Sequence, residues 1–483
     1  MSAQIEDSYY FITIDTICHH PAVTCPAGMG LIEIARTMKR ENISGIIVVD
    51  EGKPIGVVSL RDLRDAIAGR YDEIPHLAAS DIMNAGVISI RGTDYIFKAI
   101  FLMVRHNIHR LLVLDESDRL VGVITDTDLF RIQTQSPLYL VQEIEAATAV
   151  GQLTQIGLKL TDMLKYAVST NADVQSLIQL IAHFNDAMTR RLIYVLDSRE
   201  GIRLPEGAAY LVLGSEGREE QTLRTDQDSA IVYSDDLSPE KLIDVKRFAD
   251  RIVTALESVG VPLCPGNMMA NNPDWCHSLT EWKRLTESWI MMPSPDHTMF
   301  FGVFQDLRVL HGDPAFGEEL HAHLCECTSS NTIIFPNLAR TITAFKSPIG
   351  LFGRFLVEKK GENKGMLDLK KGGLFAITRG ISLLALEAGI TGGTTWEKML
   401  RLEHLNIFSA GDIATIRESF TFLMKMRLER QLQAVSTGEI PSNFVDPQVL
   451  SEKERNRLKK ALKGANSMIT LLHTRYQLDV IPS

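Results

Sequence analysis

Ala209-Tyr-Leu-Val-Leu-Gly214-Ser215-Glu-Gly217-Arg218-Glu-Glu220-Gln221-Thr-Leu-Arg224-Thr225-Asp226-Gln227-Asp228-Ser-Ala-Ile-Val-Tyr233 is the stretch on which the fold turns. The apolar run Tyr210 to Leu213 predicts a strand, stopped by Gly214-Ser215. A short helix or turn then carries Gly217 and Arg218, and a second strand is predicted from Asp226 to Tyr233. On a strand, residues i and i+2 share a face. Asp226 and Asp228 therefore project together, with Gln227 opposite. Two adjacent carboxylates repel unless a cation lies between them. Mg2+ or Mn2+ with oxygen ligands is the natural filler, which makes Asp226 and Asp228 the expected metal ligands. The Gly214-Ser215 turn offers a phosphate its backbone N–H groups and a hydroxyl, and glycine allows close approach. Together these parts compose a metal-assisted phosphoryl or nucleotidyl transfer site. The bland alternative is a solvated turn ahead of an acidic strand start.

The arrangement is similar to the DNA polymerase beta-like nucleotidyltransferase superfamily, whose pattern is an apolar residue, Gly, Gly or Ser, and a later D-x-D. Here Ser215 precedes Asp226 by eleven positions. The wider string GSEGREEQTLRTDQDSA more specifically resembles the CBS-associated nucleotidyltransferases. Those are relatives of the protein-PII uridylyltransferase and the glutamine synthetase adenylyltransferase. The resemblance implies a core with a mixed sheet and a nucleoside triphosphate substrate. It also implies catalytic Asp226 and Asp228, with Gly214, Ser215, Gly217 and Arg218 at the phosphates. Arg224 is a weaker phosphate candidate, and Arg218 could instead pair with Glu219 or Glu220.

Active members of the superfamily usually carry a third carboxylate on a neighbouring strand. Asp306, in Phe304-Gln-Asp306-Leu-Arg308-Val-Leu-His-Gly312-Asp313, is the candidate, because this segment resembles the D-x-R-x-x-x-G pattern of the uridylyltransferase relatives. It could equally pair with Arg308 or cap a helix. The stretch Cys264 to Trp275 also resembles the family, but supplies no acidic strand start. Cys264 and Cys276 read as structural, since nothing basic flanks Cys264 to activate its thiol.

Outward from this core the pattern is helical on both sides. Upstream, residues 136–200 form a helical preamble, with helices predicted over Leu138–Ala149, Leu153–Ser169 and Val174–Leu196. The core is expected over 201–315. Downstream, residues 330–483 form an all-helical C-terminal domain. Its predicted helices are Ile334–Lys346, Leu351–Glu358, Gly373–Ala388, Thr395–Leu405, Ala410–Ser436 and Ser451–Tyr476. By resemblance this domain closes over the nucleotide and presents the acceptor, with Lys370 and Arg427 as contacts to phosphate or acceptor. Helix-surface charge pairing is the alternative for both.

The first 133 residues contain an internal repeat. Residues 22–65 match 87–131 at an offset of 65, which becomes 66 after one insertion. Each copy reads helix, strand, strand, helix, and ends in G-h-h-[ST]-x-x-D: Gly56 to Ser59 and Asp62, then Gly122 to Thr125 and Asp128. This resembles a tandem CBS pair, a Bateman module, over residues 10–133. Ser59 and Thr125 sit where a strand runs into a helix and can meet a phosphate. Asp62 and Asp128 can hold ribose hydroxyls. AMP, ADP or ATP is the implied effector, and a homodimer the default assembly. Ser, Thr and Asp are also ordinary helix N-caps, so a pair that only dimerises stays open.

The chain of 483 residues carries 50 Lys plus Arg against 60 Asp plus Glu, a formal net charge of −10. An acidic chain argues against a duplex nucleic acid partner. No targeting segment or membrane span is read, and six cysteines without a C-x-x-C pair suit a reducing, cytoplasmic location. His321, His323, Cys325 and Cys327 alternate, but their segment reads as a helix, which would scatter them and argues against one shared zinc ion. The fold class expected is therefore multidomain α+β. The expected function is metal-dependent transfer of a nucleoside monophosphate to an acceptor, a protein by resemblance, under adenine nucleotide control. The alternatives are a non-catalytic nucleotide sensor and a dimeric scaffold.

Overall fold

A computed structural model describes residues 13–18, 21–106, 108–129, 137–169, 173–223, 226–345, 348–350 and 353–479. Two compact units divide the chain, residues 1–139 and 140–483.

In the first unit the sequence repeat becomes a structural one. The first copy contains β1 (Thr24–Pro26), α1 (Leu31–Glu41), β2 (Gly45–Asp50), β3 (Lys53–Ser59) and α2 (Leu60–Gly69). The second contains β4 (Ser89–Arg91), α3 (Ile96–His106), β5 (Arg110–Leu114) and β6 (Leu120–Thr125). In each, the first strand runs parallel to the second, which pairs antiparallel with the third. Cys25 lies opposite Val48 as Ile90 lies opposite Val113, the positions that the repeat aligns. Both hairpins shift register after that same position, between Val48 and Val49 and between Val113 and Leu114. The inserted residue falls in the turn just beyond. Leu31, Ile34 and Met38, at helical spacing, meet Ile46, Val48 and Val58 in one core. Ile96, Ala99 and Met103 meet Leu111, Val113 and Ile124 in the other.

The second unit opens with α4 (Pro137–Ala146), which begins at the unit boundary, then α5 (Val150–Ser169) and α6 (Val174–Glu200). Its central sheet has the order β10-β7-β8-β9. The strands are β7 (Ala208–Val212), β8 (Ser229–Tyr233), β9 (Cys276–Ser278) and β10 (Arg308–Gly312). β7 is antiparallel to β8 and β10, while β8 and β9 are parallel. This is the mixed sheet expected. All five residues of β7 are buried, as an apolar run in a central strand should be.

Between and after these strands lie α7 (Gly214–Gly217), α8 (Pro239–Ser258), α9 (Leu279–Met291), α10 (Pro295–Phe304) and α11 (Ala315–Ser330). Trp282 ties α9 to the sheet. Its indole N–H donates to the Ile231 carbonyl at 2.9 Å, and its ring stacks on Phe304 at 4.5 Å. The C-terminal part contains α12 (Ile334–Thr343), α13 (Phe375–Glu387), α14 (Thr395–His404), α15 (Ala410–Thr437) and α16 (Glu452–Arg475). It also holds one two-residue antiparallel pair, β11 (Leu367–Asp368) with β12 (Phe444–Val445), so it is not wholly helical.

One predicted helix is absent among the described residues. Over 353–358 of the expected Leu351–Glu358 helix the backbone instead reverses. The Gly350 N–H bonds to the Arg354 carbonyl at 2.8 Å, the Leu356 N–H to the Pro348 carbonyl at 2.8 Å, and Gly353 takes φ +70°. Pro348, Gly350 and Gly353 outweigh the apolar spacing there.

Candidate active site

The Gly-Ser turn and the D-x-D meet through the backbone. β7 ends at Val212, Leu213 caps α7, and the Leu213 N–H donates to the Asp228 carbonyl at 2.9 Å. β8 begins at Ser229, three residues later than expected, so the D-x-D lies just ahead of the strand. The alternation survives nonetheless. Gln227 is 1% exposed and turns toward α8. Its amide donates to the Val253 and Val261 carbonyls at 3.2 and 3.1 Å. Asp226 and Asp228 are half-buried on the other side. Burial chiefly raises the Asp228 pKa, and the Asp226 charge adds to it. The Cys264 thiol donates to Asp228 and is itself pushed up to about 11 by burial and by that carboxylate.

Two glycines shape the turn. Gly214 takes φ +55°, and a Cβ there would lie 3.0 Å from Asp228 Oδ2. A Cβ on Gly217 would lie 1.8 Å from the Asp306 carbonyl oxygen. Backbone cannot yield by that much, so Gly217→Ala is expected to lose at least about 3 kcal/mol in urea unfolding, the upper end for overpacking. Ser215 is half-buried in the first turn of α7.

Three cations from the C-terminal part interact electrostatically with the carboxylates, Lys370 with both, Arg379 with Asp228 and Arg427 with Asp226. Lys370 opens a π-helical turn, Lys370–Leu374, whose start is capped by Asp368. Its Oδ1 accepts from the Lys370 and Lys371 N–H groups at 2.9 and 3.0 Å. Burial and then Arg427 lower the Lys370 pKa, while Asp226 and Asp228 oppose them. Arg379, on α13, is lowered to about 10 by burial and by Arg218, with Asp306 and Asp228 opposing. Its Nη1 is buried and makes no hydrogen bond. Arg427, on α15, is 6% exposed and donates to Asn443 Oδ1 at 2.7 Å. Burial lowers it to about 10, with the Asp226 charge as the largest opposing influence. The sequence reading named Lys370 and Arg427 but missed Arg379. Its only signal was an arginine inside an otherwise apolar helix, a position that requires a partner.

Asp306 and Arg218 are paired with each other. Asp306, the candidate third acid, has a fully buried carboxylate that is already taken up. Arg218 Nη1 donates to its Oδ2 at 2.7 Å, while Lys398 Nζ and Ser382 Oγ donate to Oδ1 at 2.5 and 2.8 Å. Arg218, expected at the phosphates, also gives its Nε to Glu220 Oε2 at 3.0 Å. Glu220 in turn accepts from the Thr395 N–H and, at 2.9 Å, from Thr395 Oγ1. Thr395 is the first residue of α14, where a carboxylate meets unpaired N–H groups and the positive helix end. Arg218, Glu220 and Asp306 thus lock the motif turn to the C-terminal helices. The alternative pairing of Asp306 with Arg308 is not made. Arg308 instead forks onto Asp186 at 2.7 and 2.8 Å.

A further acid lies in the turn. Glu216 has its pKa raised to about 8, by burial first, then by Asp186, with Asp228 contributing. Arg224 lies outside the described residues.

In the first unit the predicted nucleotide residues form twin capping boxes. The Ser59 N–H and Oγ donate to Asp62 Oδ2 at 2.7 and 2.6 Å, and the Asp62 N–H returns to Ser59 Oγ at 3.4 Å. Thr125 and Asp128 repeat this at 2.9, 2.5 and 3.3 Å. Arg110, which the sequence reading passed over, sits between the copies. Its Nη2 lies 3.2 Å from Ser44 Oγ, and its guanidinium covers Gly45, where a Cβ would collide with it. Burial lowers the Arg110 pKa, and Asp126 and Asp62 oppose the shift.

Comparison with known proteins follows this division. The CBS domain model matches residues 14–69 and 79–134. "Putative nucleotidyltransferase DUF294" matches 159–296, and "Putative nucleotidyltransferase substrate binding domain" matches 332–476. An uncharacterized protein of Methanopyrus kandleri is 27% identical over 135 residues, 28% of this chain and 67% of its own length. An uncharacterized protein of Methanocaldococcus jannaschii is 36% identical over 102 residues, 21% of this chain and 33% of its own length. Among solved structures, a CBS domain protein from Pyrobaculum aerophilum complexed with AMP is 28% identical, with 24% of this chain and 89% of that one covered and a TM-score of 0.23. No helix among the described residues is long and apolar enough to cross a membrane. The chain is a CBS domain pair followed by a domain of the DUF294 family and by that family's C-terminal domain.

Proposed function

We propose that the second unit is a metal-dependent nucleotidyltransferase that moves a nucleoside monophosphate from a triphosphate to an acceptor, with pyrophosphate leaving. One observation supports this reading: the half-buried Asp226 and Asp228 feel each other's charge, and the buried cations Lys370, Arg379 and Arg427 each feel the charge of one or both. Two acids alone would suit a cation. Two acids coupled to three cations suit a divalent cation together with a polyanion. The donor set of Asp226 and Asp228 is all oxygen, which fits Mg2+ or Mn2+. When bound, such an ion supplies charge stabilisation at the reacting phosphate. The chain's own residues do the rest. Gly214 and Ser215 position the phosphate, and the three cations offset its charge. The likeness to protein-PII uridylyltransferase favours a protein acceptor.

The first unit would tune this activity by taking AMP, ADP or ATP between its repeats, at Ser59, Asp62, Thr125 and Asp128, with Arg110 supplying positive charge. A homodimer through the CBS pair is the assembly proposed. Arg110→Met, which leaves both capping boxes intact, is expected to weaken AMP binding about tenfold by calorimetry.

The test of the transfer reading is triphosphate binding and pyrophosphate release, measured for each nucleoside triphosphate with Mg2+ and with cell extract as acceptor source. Lys370→Met is expected to weaken triphosphate binding about 10- to 100-fold, the worth of a charge-assisted contact. A second reading is favoured by the capture of Asp306 in an ion cluster, which withholds the usual third acid. It makes the unit a non-catalytic sensor that binds triphosphate and acts through a partner. Binding without release, under all four triphosphates, would select it.

A further inference from the structure

On the Gln227 side of the D-x-D lies a cavity of about 220 Å3 that the transfer reading does not use. Helices supply a mainly apolar wall, which includes Leu153 and Gly157 of α5, Met188 of α6 and Leu256 of α8. The motif supplies a polar one, with Glu216 of α7, Thr222 and Gln227. Among the described residues, two acids line the cavity, Glu216 and Glu257, and no lysine, arginine or histidine does.

The polar wall holds acceptors that lack donors. Both Gln227 amide protons are spent on the Val253 and Val261 carbonyls. Its Oε1 is buried without a hydrogen-bond partner among the described residues, and so is Thr222 Oγ1. Both residues are almost fully buried. The Glu216 carboxyl accepts no hydrogen bond among the described residues. Burial, Asp186 and Asp228 hold its pKa up, and of the charges acting on it only Arg308 favours ionisation. Buried polar groups are normally satisfied, and a carboxyl in apolar surroundings stays protonated unless a cation joins it.

These features select the charge and shape of a ligand. An anion would meet two acids and no base. A bare metal ion needs oxygen ligands around it, and the apolar wall supplies none. An ammonium group on an apolar body suits both walls. It brings three N–H donors and no acceptor, the complement of a carboxylate, an amide oxygen and a hydroxyl. An apolar cavity of about 150 Å3 takes benzene, so a single ring with an aminomethyl arm fits the space here. Glu257, Ser258 and Gly260 of the lining are exposed, which gives an entry path, and Glu257 attracts cations to it.

We propose that this cavity binds a small organic ammonium ion, its charged head on Glu216 and its apolar body against α5 and α6. The site shares no side chain with the carboxylate pair at Asp226 and Asp228 and does not depend on the transferase reading.

Benzylamine, protonated at neutral pH, is the probe, with benzyl alcohol and benzoate as its neutral and anionic counterparts. Calorimetry on the full-length protein is expected to show one benzylammonium per chain, held about tenfold or more tightly than benzyl alcohol, the worth of a charge-assisted contact, and no binding of benzoate. Glu216→Gln should bring benzylammonium down to the level of benzyl alcohol. Gly157→Leu fills the space. A Cβ there meets only the Met188 methyl, at 3.8 Å, and leucine is the better helix former, so this variant should fold and bind none of the three. Asp226→Asn/Asp228→Asn should bind benzylammonium as the wild type does. No binding to the wild type would mean that the cavity holds water alone, and overturns the proposal. So does equal affinity for benzylammonium and benzyl alcohol, or unaltered binding in Glu216→Gln or Gly157→Leu. Loss of binding in the double aspartate variant would place the amine at those carboxylates and overturns it too. Melting temperatures of the variants, expected to lie close to that of the wild type, separate loss of the site from loss of the fold.

Discussion

Arg218→Met is expected to lower the unfolding free energy of the second unit by about 3–5 kcal/mol, the cost of stranding buried charge. Arg218, Glu220, Asp306 and Lys398 have side chains 7%, 2%, 0% and 3% exposed. Arg218 alone bridges the two acids, through Nε to Glu220 and Nη1 to Asp306. Methionine keeps much of the volume and removes both bonds. Glu220 then retains only Thr395, and Asp306 keeps Lys398, Ser382 and the more distant Arg379 at 4.0 Å. Both carboxylates stay out of water with fewer donors than they need. The double variant Arg218→Met/Asp306→Asn should lose less than the two single losses added, since each removes part of the same contact.

The cluster also has a pH signature. Lys398, Arg218 and Arg379 hold Asp306 far below the ordinary carboxylate range despite its burial. A group whose folded pKa is depressed contributes stability that is present above its unfolded pKa and is lost as pH falls toward the folded one. The wild type should therefore lose this contribution progressively below about pH 4, whereas Asp306→Asn should lack it at every pH. Urea unfolding at neutral and acid pH measures both effects. If Arg218→Met left the unfolding midpoint in place and weakened triphosphate binding instead, Arg218 would be a phosphate ligand after all.

That possibility separates what a motif displays from what it hides. The two-residue period of Asp226 and Asp228 was legible because it is local. Gln227 is anchored by three hydrogen bonds, to Val253 of α8 and to Val261 and Pro262 just beyond it, although the strand starts only at Ser229. The CBS repeat was legible for the same reason, down to the register of Cys25 and Ile90. The fates of Arg218 and Asp306 were not local. Lys398 and Thr395 arrive from α14, more than 170 positions beyond Arg218, and no spacing announces them. Arg379 was hidden differently. Its helix reads as plain core, and only the fold shows that Ser382, three residues on, binds Asp306 on the same side. At Ser59 and Asp62 the sequence pattern fits both a ribose site and a capping box. The box is formed, and the nucleotide role rests on the surroundings, chiefly Arg110.

The largest effect on activity is expected from Asp226→Asn/Asp228→Asn. Asparagine preserves shape and hydrogen-bonding capacity but removes both negative charges. Metal-assisted charge stabilisation is worth several kcal/mol, so its loss should slow pyrophosphate release about a thousandfold or more. The fold should not suffer. Burial penalises the charged form of Asp228, and Asp226 opposes its ionisation further, so neutralising the pair relieves repulsion. A melting temperature equal to or above that of the wild type is therefore expected together with the loss of activity. Triphosphate binding in the absence of metal should persist or tighten, because Lys370, Arg379 and Arg427 would no longer feel the charge of one or both anions. That combination, with activity lost, stability kept and metal-free binding kept, follows from a site in which two acids hold the ion and three cations hold the nucleotide. Pyrophosphate release unchanged in the double variant would remove Asp226 and Asp228 from the reaction and turn attention to Glu216, whose carboxyl is raised to about 8 on the same turn.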